Sequence, residues 1–119
     1  METSEMRKAV QAYMDGLTQG DVDAVVALYA DGATVEDPVG SELKVGADAI
    51  REFYTGAVAA GLEAKLSGNI RCTESSAAFA FQLAVGDAPM KIEVIDVFDF
   101  NADGKVVAMR AYWGAENVS

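Results

Sequence analysis

The sequence predicts an α+β fold in which three N-terminal helices pack on one face of a cone-shaped, curved antiparallel β-sheet. Apolar residues recur at helical spacing in the first half of the chain and alternate with polar residues in the second half. No linker, repeat or low-complexity stretch divides the 119 residues. We therefore expect a single domain over residues 1–119, with a core of its own and an apolar mouth suited to a ligand.

The first two helices follow from apolar periodicity and from residues that start helices. A first helix is predicted over residues 5–18 with Ser4 as its N-cap, and its inward face carries Tyr13. A second helix is predicted to begin after the N-cap Asp21 and to end near residues 31–32. Tyr13 is therefore expected to point at the core.

A short strand and a third helix complete the first half. The strand over residues 33–37 places Val35 and Asp37 on one face, and Pro38 ends it. If Val35 faces the core, Asp37 does so too, at the end of the strand. The third helix is predicted over residues 47–59.

The second half is predicted to be a meander of long strands. Gly68 indicates a bulge or a bend in the first of them. The expected strands cover residues 62–73, 77–85, 90–100 and 106–113, with turns at 74–76, 86–89 and 101–104. The inward face of the last strand is expected to carry Val107, Met109, Ala111 and Trp113.

Asp96 interrupts an otherwise apolar face of the strand over residues 90–100. A buried carboxylate without a cationic partner takes up a proton, so Asp96 is expected to be neutral and to donate a hydrogen bond. Tyr13 is a second donor, and two donors aimed at one point form an oxyanion hole. Asp37, nearer to water, is expected to stay ionised and to suit a general base.

The residue pattern alone is also consistent with purely structural roles for these residues. A single acidic residue on a strand is also typical of a sheet edge or a bulge, and Asp37-Pro38 is a common turn dipeptide. Tyr13 by itself is typical of a core tyrosine whose hydroxyl is hydrogen-bonded.

Composition excludes several classes of function. The formal net charge of −10 argues against a nucleic-acid partner. The chain contains no histidine and one cysteine, so acid–base chemistry must use Asp, Glu, Tyr or Lys, and a metal site is not expected. No apolar run is long enough to span a bilayer, and the polar start has no signal-peptide pattern; we therefore expect no membrane association and a cytoplasmic location.

Four segments of the chain resemble bacterial ketosteroid isomerases (steroid delta-isomerases) of the NTF2-like or SnoaL-like superfamily, whose fold is also described as cystatin-like. The resemblance covers nearly the whole chain in order. The segments are YADGATVEDPVG at residues 29–40, IREFY at 50–54, VID at 94–96 and MRAYW at 109–113.

The resemblance implies a reaction and its residues. Asp37 matches the general base, and Tyr13 and Asp96 match the two oxyanion donors, for conversion of 3-oxo-Δ5-steroids to 3-oxo-Δ4-steroids without a cofactor. It also implies a homodimer packed through its sheets. The substrate-binding positions implied by the resemblance are Tyr54, Tyr29, Phe81, Met109, Trp113, Val39 and Phe53.

Two other classes of function stay open at this level. A non-catalytic carrier of steroids or other apolar ligands would keep the pocket but have no need for Asp37. Another enzyme of the superfamily, a cyclase or an epoxide hydrolase, would need polar groups arranged around an activated water, and no such arrangement is clear in the sequence.

Overall fold

The structure is a computed structural model that describes residues 1–86 and 90–119. The predicted turn at residues 86–89 lies largely outside the described residues. The described residues form three α-helices, Thr3–Gln19 (α1), Val22–Val26 (α2) and Ala47–Val58 (α3). The strands are Tyr29–Glu36 (β1), Lys44–Val45 (β2), Leu62–Leu66 (β3), Arg71–Cys72 (β4), Ser76–Val85 (β5), Met90–Phe100 (β6) and Val106–Tyr112 (β7), and a 3₁₀ turn covers Ala115–Asn117.

The predicted α+β class, with three helices on a curled sheet, is confirmed. The strand order is β2-β1-β7-β6-β5-β3, with β4 paired to β5, and the sheet does not close into a barrel. One detail differs from expectation. Strand β1 runs parallel to β7, so the sheet is mixed rather than antiparallel. Alternation along a strand shows which face is buried, but it does not show the partner strand or its direction.

The helices differ from prediction mainly at their ends. Helix α1 begins before Ser4 and has no side-chain cap, whereas Asp21 caps α2 as predicted by accepting a hydrogen bond from the Ala24 N–H at 3.1 Å. Helix α2 ends at Val26 rather than near residue 31, because the following residues pair with β7. Gly32 lies at the irregularity between the paired residues Tyr29 and Thr34, with φ 71°, a conformation that glycine adopts without a steric penalty.

The second half follows the predicted meander closely. Gly68 separates β3 from β4, in line with the predicted bend. An irregularity between β6 and β7 near Phe100 shifts the register, so Val106 rather than Val107 is buried. The short strand β2 and the 3₁₀ turn after β7 were not predicted.

The core lies between the helices and one face of the sheet. Helices α1 and α3 cover that face and contribute Tyr13 and Tyr54, both almost fully buried. Strands β5 and β6 contribute Phe79 and Phe98, whose rings pack edge to face at 5.0 Å between centroids. None of the described helices combines the length and the apolar character needed to cross a membrane.

Candidate active site

A cavity of about 250 Å³ opens between the helices and the concave face of the sheet. Tyr13 on α1 and Asp37 after β1 both line it. Asp96 on β6 is 1% exposed and is not part of the lining. The three predicted catalytic residues therefore come from three different elements, and two of them reach the cavity surface.

Asp37 reaches the cavity because of the parallel pairing of β1 with β7. Glu36 is opposite Arg110, so the carboxyl ends of the two strands lie side by side. Asp37 is the first residue after β1, and Trp113 is the first residue after β7, so the two side chains lie next to each other. The Trp113 indole Nε1–H donates a hydrogen bond to Asp37 Oδ1 at 2.8 Å. This contact fixes the orientation of the carboxylate while the group remains partly exposed to the cavity.

Two opposing effects act on the ionisation of Asp37. Burial raises the pKa of its carboxyl group above the usual value, and the hydrogen bond from Trp113 opposes that rise because it stabilises the charged form. A carboxylate with a raised pKa is a stronger proton acceptor than a free aspartate and is still ionised at neutral pH when the rise is moderate. The environment therefore suits a general base.

Asp96 is in a very different environment. Val94 and Phe98 flank it on the same buried face, and it pairs across the strands with Phe79 and Ala111. Neither of its carboxyl oxygens has a hydrogen-bond partner within residues 1–86 and 90–119. Burial, and secondly the charge of Asp37, raise the pKa of Asp96 well above its usual range, and the nearby Tyr13 hydroxyl opposes that rise only in part. These effects favour the neutral form of Asp96, whose O–H can donate a hydrogen bond.

Tyr13 belongs to a chain of three hydroxyl groups. The Tyr13 and Tyr54 hydroxyls are 3.1 Å apart, and those of Tyr54 and Tyr29 are 2.5 Å apart. Burial raises the pKa of Tyr13 well above 10.0, and the negative charge of Asp96, when that group ionises, acts in the same direction. Tyr13 therefore keeps its proton and is able to donate it in a hydrogen bond, while Tyr54 behind it orients the hydroxyl.

The other sequence-predicted residues divide into two groups. Four of them line the cavity: Phe53, Tyr54, Phe81 and Trp113. The remaining three do not. Tyr29 lies behind Tyr54, to which its hydroxyl is hydrogen-bonded, and Met109 is fully buried in the core. Val39 is 42% exposed, and its backbone N–H donates to Ala111 O at 2.8 Å. Val39 thus anchors the loop after Asp37 to β7.

The rest of the lining was not singled out from sequence. It is apolar throughout and comes mainly from β3, β5 and β6. The alternation of apolar and polar residues along these strands was the feature of the sequence that could have identified it. These residues are Leu17, Ala57, Leu62, Leu83, Val85, Met90, Ile92 and Val94. The described part of the chain has no group of three or more His, Cys, Asp or Glu residues arranged to hold a metal ion. The arrangement suits an apolar ligand with one polar atom at the end near Tyr13 and Asp37.

Comparison with known proteins gives the chain a family. Residues 10–109 match the model of the SnoaL-like domain. The steroid delta-isomerase of Nocardioides simplex is 41% identical over 113 residues, which cover 93% of this chain and 91% of that enzyme. The resemblance inferred from the sequence is thereby confirmed.

Two further relatives carry other names. The epoxide hydrolase LasB of Streptomyces lasalocidi is 34% identical, but the match spans only 45% of its length. The solved structure of SalBIII, described as an epoxide hydrolase/cyclase-like enzyme in pyran ring formation in the polyether salinomycin, superposes with a TM-score of 0.90 at 31% identity, covering 100% of this chain and 98% of that one. The family model and the sequence identity show that the chain belongs to the SnoaL-like family, among the relatives of steroid delta-isomerase.

Proposed function

We propose that the chain is a steroid delta-isomerase that converts 3-oxo-Δ5-steroids to 3-oxo-Δ4-steroids by transferring one proton through Asp37. The observation that carries the proposal is the pair of carboxyl groups in opposite environments: Asp37 is partly exposed and bonded to an indole N–H, whereas Asp96 is buried and unpaired among the described residues. The 41% identity to a steroid delta-isomerase over nearly the whole chain supports the same reaction.

In this proposal Asp37 starts the reaction. Its contact with Trp113 occupies Oδ1, which leaves Oδ2 to accept the proton from the carbon between the ketone and the double bond. The electron pair of the broken C–H bond becomes part of a dienolate, whose negative charge lies on the former ketone oxygen. Asp37 then returns the proton at the far end of the conjugated system, so atoms and charge balance without a cofactor.

Tyr13, at the cavity surface, and Asp96, buried beside the Tyr13 hydroxyl, stabilise the dienolate in this proposal. Both groups are neutral hydrogen-bond donors, because burial holds the pKa of each well above its ordinary value. Donors fixed in place before the reaction stabilise developing charge without reorganising, and they are most effective where water is excluded. The apolar lining supplies that dry environment and binds the rings of the steroid.

The function is tested by ultraviolet absorbance of a 3-oxo-Δ5-steroid mixed with the protein. We expect a growing conjugated-enone band, since the product carries its double bond next to the ketone. A protein that binds the steroid, as judged by equilibrium dialysis, but produces no band would contradict the isomerase and favour the non-catalytic carrier.

An epoxide hydrolase or cyclase is the second candidate function. It is favoured by the similarity to LasB and SalBIII, since a neutral Asp96 near an ionised Asp37 could also protonate an epoxide oxygen while a hydroxyl group is deprotonated. The lower identity of both relatives, and the short coverage of LasB, place it second. Opening of a hydroxy-epoxide by the protein, with no steroid isomerisation, would reverse this order.

A homodimer packed through the outer face of the sheet is part of the proposal. Ile95 and Tyr112 are cross-strand partners on β6 and β7, and each residue is 48% exposed. Such neighbouring apolar groups on a sheet face suit contact with a second copy. Light scattering should give the mass of two chains, and the mass of one chain would contradict the dimer. A cytoplasmic location and the lack of a nucleic-acid partner stay predictions from the sequence.

A further inference from the structure

Trp113 separates the cavity from the outer surface of the protein. Its side chain lines the cavity together with Asp37 and also lines a groove on the outer side of the sheet, where Tyr112 and Asn117 lie. It is the first residue beyond the paired part of β7, since the register with β6 ends at Tyr112 opposite Ile95. The position of the indole therefore depends on the segment that follows it.

That segment, residues 114–119, is tied down at two places. Asn117 closes a turn directly after Trp113, because its Oδ1 accepts from the Gly114 N–H at 2.8 Å and its own N–H donates to Gly114 O at 2.9 Å. Beyond the turn, Ser119 and Lys91 exchange two backbone hydrogen bonds of 2.9 Å, which attach the segment to β6. The reciprocal bonds at Gly114 satisfy two backbone groups and restrict the chain on the far side of Trp113.

We propose that Asn117 is a positioning residue: the turn that it closes holds the Trp113 indole N–H against the carboxylate of Asp37. The inference rests on the proposed function only in calling Asp37 the base; the positioning itself is a property of the ligand-free protein. Asn117 is not part of the cavity lining, so it acts through Trp113 and not through contact with a substrate.

The consequence concerns the ionisation of the base. The indole N–H stabilises the charged form of Asp37, so a displaced indole raises the pKa of that carboxyl group further. The other titratable groups near Asp37 are Asp96 from β6, Tyr13 from α1 and Tyr29 from β1. Burial keeps these three groups in their protonated forms. The fall in activity at low pH therefore reports the protonation of Asp37.

The experiment uses the fluorescence of Trp113, which is the only tryptophan in the chain. Ionisation of a carboxyl group bonded to the indole changes its emission, so a pH titration without substrate reports on Asp37. The variant Asp37→Asn should abolish this titration and thereby establish the assignment. The test is independent of turnover, so its outcome stands even if the protein is not an isomerase.

We expect Asn117→Ala to move the midpoint of the titration to higher pH. At pH values below the midpoint, kcat/KM should fall by roughly 3- to 10-fold, the equilibrium equivalent of one net hydrogen bond. KM for the steroid should change little, because Asn117 is outside the cavity. Asn117→Gln should restore the wild-type midpoint, since glutamine at this place in a turn also reaches back to the first N–H.

Two further variants complete the test. Glu116→Ala changes an exposed residue of the same turn and should leave the titration unchanged. Deletion of residues 118–119 removes the attachment to β6 and should shift the midpoint in the same direction as Asn117→Ala. A wild-type midpoint in both Asn117→Ala and the deletion would overturn the proposal, as would an equal shift in Glu116→Ala.

Discussion

We expect Asp37→Asn to lower kcat by about 10²- to 10⁴-fold, the range contributed by a positioned general base. The amide has the shape of the carboxylate but cannot accept the proton at neutral pH. Steroid binding should persist, since the apolar lining is unchanged and the amide oxygen can still accept the Trp113 N–H bond. The measurement is the rate of enone formation at saturating steroid, together with the dissociation constant of the product.

The control for this variant is Glu36→Gln, which makes the same chemical change one residue earlier. Glu36 ends β1 and its carboxylate accepts the Gly40 N–H at 3.0 Å, outside the cavity lining. An amide oxygen can accept the same bond, so the activity of Glu36→Gln should stay close to wild type. Turnover by Asp37→Asn at the wild-type rate would remove Asp37 as the base.

Tyr13→Phe should lower kcat by about 10²- to 10³-fold, as for the loss of one oxyanion donor. The change removes only the hydroxyl, and the phenyl ring retains the edge-to-face packing on Phe98 at 5.0 Å between centroids. KM should change much less than kcat, because the negative charge that this hydroxyl stabilises develops only in the reaction. Both constants come from the same absorbance assay.

Tyr29→Phe and two variants of Asp96 serve as comparisons. The Tyr29 hydroxyl is hydrogen-bonded to Tyr54 and does not line the cavity. Loss of this hydroxyl should therefore reduce kcat far less than loss of the Tyr13 hydroxyl. Asp96→Asn keeps a hydrogen-bond donor and should retain more activity than Asp96→Ala. Equal rates for Tyr13→Phe and wild type, or for the two Asp96 variants, would contradict the assignment of these groups as oxyanion donors.

Much of the fold could be predicted because local patterns carry the information. Alternation identified the buried faces of β5 and β6, and helical spacing placed Tyr13 and Tyr54 in the core. The ends of elements were less accurate where distant pairing competes with local preference. Residues 29–32 were predicted to end a helix, but they belong to strand β1, in which Tyr29 pairs with Val106 of β7.

The sequence predicted the chemical groups of the candidate site more fully than their positions in space. A chain without histidine must use carboxyl and hydroxyl groups, and a lone carboxylate on an apolar face is forced towards its neutral form. Asp37 and Asp96 could therefore be identified as candidates. The apolar lining from β3, β5 and β6 was overlooked because an inward-facing Leu or Val is equally typical of a core position.

The sequence by itself determined the order of the elements, the faces they bury and the residue types available for proton transfer, because each of these follows from neighbours within a few positions. The tertiary structure alone decided that β1 runs parallel to β7, which brings Asp37 beside Trp113 from 76 residues away. It alone decided that residues 114–119 fold back on β6. The partner and direction of each strand depend on the closure of long loops and on the packing of the whole core. A local pattern of residues does not predict either of these.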